Sequence, residues 1–132
     1  MRYEFTPDLK TGNSLVDSQH KQLFDAVNRL MDACSTGKGR DQIRETVTFL
    51  NDYVVRHFQD EERLQQQSRY PGFADHQKFH VNYRRQLAMT AQELVQQGPT
   101  VRALGDLNRA VAVLVSHIRT DDKRMARYLQ EH

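Results

Sequence analysis

The sequence predicts an all-α chain folded as an up-down-up-down four-helix bundle with an extended N-terminal arm. Three observations carry this. Apolar residues recur at intervals of three and four through four long stretches, short turns containing glycine or proline separate them, and no alternating strand pattern, internal repeat or low-complexity segment interrupts them. With 132 residues, the chain fits a single domain around one modest core and leaves no room for an output domain.

Residues 1–16 form the arm, in which Tyr3, Phe5, Leu9 and Leu15 stand among Pro7, Gly12, Asn13 and Ser14. That mixture suits an extended segment whose aromatic side chains cover an end of the core. A first helix is expected over about residues 17–36, capped by Asp17 and stopped by Gly37 and Gly39, with Leu23, Phe24, Val27, Leu30, Met31 and Cys34 as its apolar stripe. His20 lies on that stripe.

The second helix, about 41–67, carries Ile43, Val47, Leu50, Val54, His57, Glu61 and Leu64 on one face. An ionised carboxylate on a core face is costly unless it is paired or bound to a metal, so Glu61 asks for a cation. After a tight Tyr70-Pro71-Gly72 turn, the third helix, about 73–97, aligns Phe73, His76, His80, Tyr83, Leu87, Ala91 and Leu94 and closes at Gly98-Pro99. The fourth, about 100–130, aligns Leu104, Leu107, Val111, Leu114, Ile118, Met125 and Leu129, with His117 and the Asp121-Asp122 pair flanking the stripe.

Composition narrows the partners. The net charge of +2 comes from Lys and Arg interleaved with Asp and Glu, which is no phosphate-binding signature, and nucleic acid is not expected. No stretch approaches transmembrane length, and residues 1–16 lack the apolar run of a signal peptide, so a soluble, cytoplasmic protein without a membrane partner is expected. The single cysteine, Cys34, rules out an intrachain disulfide and reads as a small core residue.

Five of the six histidines fall inside these helical patterns, and only His132 is left over. His57/Glu61 and His76/His80 are spaced by four, which places each pair about 40° apart around a helix and roughly 6 Å along it, able to aim at one point. Any one of them alone is more readily a hydrogen-bonded histidine. Together with His20, His117 and a carboxylate near the chain's end, they would leave several buried polar groups unpaired unless a metal satisfied them. Helix arithmetic does not choose the last carboxylate: Asp121 is one turn from His117, whereas Asp122, five residues on, is about 140° away around the helix.

The pattern His20, His57-x-x-x-Glu61, His76-x-x-x-His80, His117-x-x-x-x-Asp122 resembles the hemerythrins, specifically the single-domain bacteriohemerythrins. Local context agrees in Asp17-Ser-Gln-His20, His57-Phe-x-x-Glu-Glu62, the Tyr70-Pro71 turn and His117-Ile118. The resemblance spans nearly the whole chain, and it is what selects Asp122 over Asp121 and Glu61 over Glu62. It implies two iron ions sharing an oxo or hydroxo bridge. His76, His80 and His117 would bind one iron, His20 and His57 the other, and Glu61 and Asp122 would bridge both. One coordination position would stay open on the two-histidine iron, facing Leu23, Phe58, Leu114 and Ile118.

That position would take dioxygen, and also nitric oxide or small anions. The function implied is reversible dioxygen binding for carriage, storage or sensing. The rival readings are a diiron enzyme reducing nitric oxide or peroxide, and an oxygen- or redox-responsive module for a protein partner that the sequence does not name. Ligand chemistry favours reversible binding, because oxygen-activating diiron bundles use more carboxylates and fewer neutral imidazoles. The chain has no tryptophan, although the family commonly carries one in the arm near Tyr3 and Phe5 and another at the position of Val113. A less tightly closed pocket is the expectation, and Val113→Trp would tighten it.

Overall fold

The computed structural model describes residues 3–36 and 40–131, leaving aside the Arg40 side chain. Gly37 and Gly39, expected to stop the first helix, lie outside the described residues, as does His132. The helices are α1 (Ser14–Ser35), α2 (Arg40–Gln67), α3 (Phe73–Gln97), α4 (Val101–His117) and α5 (Lys123–Glu131). A π-helical segment, Ile118–Asp122, joins α4 to α5 without a break, so these three pieces form the fourth rod of the bundle. No strand occurs among the described residues. Successive helices pack against each other, α1 on α2, α2 on α3 and α3 on α4, as short turns require.

Most of the expected stripes form the core, whereas Leu64, Phe73 and Leu129 are only partly buried outside it. Leu23, Phe24, Val27 and Leu30 of α1 meet Ile43, Val47, Leu50 and Val54 of α2, Tyr83, Leu87 and Leu94 of α3, and Leu107, Val111 and Leu114 of α4 in one cluster. Met31 and Cys34 are partly buried against it. Below this apolar half, toward the turn between α2 and α3, the same inward faces carry the histidines and carboxylates.

The arm behaves as a strap with specific fastenings. Tyr3 N–H donates to Asn28 Oδ1 at 2.8 Å and Asn28 Nδ2 donates back to Tyr3 O at 2.7 Å, while the Tyr3 hydroxyl donates to Asn108 Oδ1, tying α1 to α4. Phe5 packs edge-on against Phe24, and Leu9, at the end of a short 3-10 turn, is buried, whereas Leu15 is exposed.

Two helix ends differ from expectation. Asn13, not Asp17, caps α1, its side chain accepting from Val16 N–H. Asp17 instead accepts from the Thr11 amide and hydroxyl and from the Gly12 amide, pinning the arm to the first turn. At the end of α2, Arg69 adopts the left-handed conformation (φ 56°), with Tyr70 N–H bonded to Gln65 O and Arg69 N–H to Gln66 O. That is a Schellman ending in which arginine occupies the site that glycine usually fills. Gly98, with φ 80°, turns the chain between α3 and α4, and Thr100 caps α4 by accepting from Ala103 N–H.

Candidate metal centre

Each rod contributes side chains to one buried cluster: His20 from α1, His57 and Glu61 from α2, His76 and His80 from α3, and His117 and Asp122 from the fourth. None is more than 5% exposed. They fall into two groups of donors, His76/His80/His117 and His20/His57/Glu61/Asp122, each close enough to hold a metal ion.

The carboxylates reach both histidine sets. Glu61 Oε1 lies 3.1 Å from His80 Nε2 and 3.7 Å from His76 Nε2, while its Oε2 lies 3.5 Å from His57 Nε2 and 3.7 Å from His20 Nε2. Asp122 repeats this, with Oδ1 3.0 Å from His76 Nε2 and 3.2 Å from His117 Nε2, and Oδ2 3.1 Å from His20 Nε2. Each carboxylate thus presents one oxygen to either group.

The π segment explains why Asp122 faces inward. A regular α-helix carries a residue five positions on about 140° past its start, but the wider turn of a π-helix bonds i to i+5 and brings that residue back toward the starting face. His117 consequently touches both aspartates, Asp122 through Nε2 and Asp121 through Nδ1, the latter at 3.0 Å. The doublet Glu61-Glu62 is divided similarly. Glu61 points into the cluster, and Glu62 sits behind His80 with Oε2 3.0 Å from Nδ1.

These outer partners went unassigned in the sequence, as did Gln19, whose Oε1 lies 2.6 Å from His57 Nδ1 and whose Nε2 donates to Asp60. Their signal was adjacency, since each is the immediate chain neighbour of an inward residue. Periodicity could not reveal which histidine they back. Phe58, expected in the pocket wall, also stacks on His80, and Phe79, which had no expected role, stacks on His117, each pair with centroids 3.8 Å apart and nearly parallel.

The inward atoms are poorly satisfied as they stand. His20 Nε2, His57 Nε2, His80 Nε2, both oxygens of Glu61 and Asp122 Oδ1 are buried without a hydrogen-bond partner. A buried polar atom left unpaired costs about 1–3 kcal/mol. Cations between the two groups would satisfy all of them, and imidazole with carboxylate is a donor set suited to iron. The residues present therefore fit two metal ions.

Electrostatics agree with a site that attracts positive charge. Burial works to lower the pKa of His20 and His76, but the Asp122 and Glu61 carboxylates outweigh it and hold both up to about 9. Burial brings His57 down to about 4. Burial would raise Glu61 and Asp122, yet the surrounding histidines keep both below the ordinary carboxylate range.

Leu23, Phe58, Leu114 and Ile118, the expected pocket wall, are all buried, each one turn from or next to a histidine of the cluster. Val113 is not part of that wall. It is 43% exposed and lines an outer dent of about 190 Å³ with Phe79, Ser116 and His117, because a residue beside an inward-facing leucine turns about 100° away from it.

Comparison with known proteins agrees with this geometry. A family profile described as the hemerythrin HHE cation binding domain matches residues 11–129. A bacteriohemerythrin of Pseudomonas aeruginosa is 35% identical over 117 residues, 87% of this chain and 73% of that protein. One from Methylococcus capsulatus is 43% identical over 70 residues, a match spanning about half of either protein, 53% of each. A crystal structure of wild-type hemerythrin superposes with a TM-score of 0.85 at 31% identity, covering 96% of this chain and 97% of the other.

Proposed function

The chain belongs to the hemerythrin family, and from that premise we propose that it binds dioxygen reversibly at a diiron centre held by His20, His57, Glu61, His76, His80, His117 and Asp122. The observation that carries this reading is the pair of buried carboxylates, each aiming one oxygen at the three-histidine group and the other at the two-histidine group. In the proposal His76, His80 and His117 would hold one iron, His20 and His57 the other, and Glu61 and Asp122 would serve both. A diiron group held there would supply the two electrons that reversible binding of dioxygen requires.

The chain's own residues do the rest. Five neutral imidazoles and two carboxylates give a ligand set less anionic than that of oxygen-activating bundles, which favours return of the electrons over further reaction. The unequal histidine count leaves the two-histidine side as the place for a ligand. In this reading Leu23, Phe58, Leu114 and Ile118, all buried, would supply the apolar surface that keeps water from a charged ligand there.

No helix among the described residues is long and apolar enough to cross a membrane. Carriage, storage and sensing would all use the same binding chemistry. The test is the visible spectrum of iron-loaded, reduced protein before and after air, and again under vacuum. A new band in air that disappears under vacuum is the expected result. Steady turnover of nitric oxide or peroxide without a reversible oxygen band would overturn it in favour of an enzyme.

A further inference from the structure

The two histidine groups differ in what stands behind them. With every inward Nε2 serving as a donor to the centre, each Nδ1 must carry the ring proton, so its partner sets the basicity of the ligand. In the three-histidine group, His80 Nδ1–H donates to the Glu62 carboxylate and His117 Nδ1–H to the Asp121 carboxylate, both at 3.0 Å. Phe58 and Phe79 lie flat on the same two rings and fix their planes.

The two-histidine group has neither device. His57 Nδ1 meets the neutral amide of Gln19, which Asp60 orients through its other end, and His20 Nδ1 is buried with no hydrogen-bond partner. A carboxylate behind an imidazole makes it a stronger donor and adds negative charge near the metal, whereas an amide only orients the ring. The asymmetry therefore puts two extra anions in direct contact with the rings on one side of the centre and none in direct contact behind the other, where Asp60 stands one residue further out. Glu62 also accepts from Gln77 Nε2, and Asp121 lies 3.7 Å from Arg124, contacts that hold both carboxylates in place.

We infer that Glu62 and Asp121 are positioning residues that make the three-histidine position the tighter of two metal sites, so that the two-histidine position fills last and empties first. This rests on the two-metal reading above. The consequence is a centre whose ligand-binding side is also its labile side.

An anaerobic chelator challenge of the iron-loaded protein tests it, with metal loss followed in time and reduction potentials measured in parallel. The wild-type chain should lose iron in two resolved steps. Glu62→Gln and Asp121→Asn keep an acceptor oxygen but remove the charge. Each should speed the slow step roughly tenfold to a hundredfold, leave the fast step unchanged, and move the potential to more positive values. Both side chains are partly exposed, at 16% and 44%, so both variants should fold. Conversely, Gln19→Glu combined with Asp60→Asn installs a carboxylate behind His57 with a donor to orient it, and should slow the fast step.

A single wild-type step, an effect confined to the fast step, or potentials identical to wild type in both charge-removal variants would overturn the inference. Fewer than two irons bound by the wild-type chain would instead bring down the diiron reading itself.

Discussion

Leu114 and Val113 are neighbours in sequence but differ in exposure, 2% and 43%, because they lie about 100° apart around the helix. Truncating Leu114 to alanine should cost about 2–5 kcal/mol through the cavity left behind. It should also admit water beside the proposed oxygen position, shortening the life of the oxygenated form without preventing its formation. Val113→Trp would fill the dent over Phe79 and His117 and leave that lifetime unchanged; hour-scale absorbance decay compares the three proteins. At the same scale, the raised imidazoles of His20 and His76 give iron-free protein a definite pH profile. Each keeps a proton in the folded chain up to about pH 9 that the unfolded chain releases near 6.5, so its stabilisation is complete below 6.5 and lost as pH rises through 9. His57 acts oppositely: it stays neutral in the folded chain down to about pH 4 while the unfolded chain takes up a proton below 6.5, so stability falls there as pH drops. Thermal melts of iron-free protein should therefore show falling stability from pH 6.5 to 9, and a flat profile would contradict these assignments.

Helix number, order and inward faces were legible because burial imposes a period of three and four on the sequence, and His57, Glu61, His76 and His80 simply continue those stripes. The fourth rod was legible only in part. Its π segment breaks the regular period between His117 and Asp122, so α-helical arithmetic does not distinguish Asp121 from Asp122, and only the resemblance to the hemerythrins does. The Schellman ending of α2 was hidden for a different reason: Arg69 carries none of the glycine signal that normally marks a left-handed position. Placing a side chain there costs about 1–2 kcal/mol, which glycine would relieve at an entropic cost of about 0.5–1 kcal/mol. Arg69→Gly should therefore stabilise the protein by about 0.5–1 kcal/mol, read as a higher denaturant midpoint at unchanged slope. An unchanged or lower midpoint would show that the arginine side chain has a compensating contact.

Across the whole molecule, an apolar half and a polar half share one continuous interior. Leu107, Val111 and Leu94 secure the first, while the second gathers five histidines and two carboxylates, most of whose inward atoms lack a hydrogen-bond partner. Such an interior is consistent with a protein that folds around its metal, because binding only to the native state adds directly to stability. The polar half was visible in the sequence as residue types at helical spacing, but its division into two groups required the rods to be placed side by side. The most direct measurement is metal content together with melting temperature after anaerobic iron loading. Two irons per chain and a clearly higher melting temperature than the iron-free protein are the predicted result. One metal per chain, or a melting temperature that iron does not change, would contradict the account.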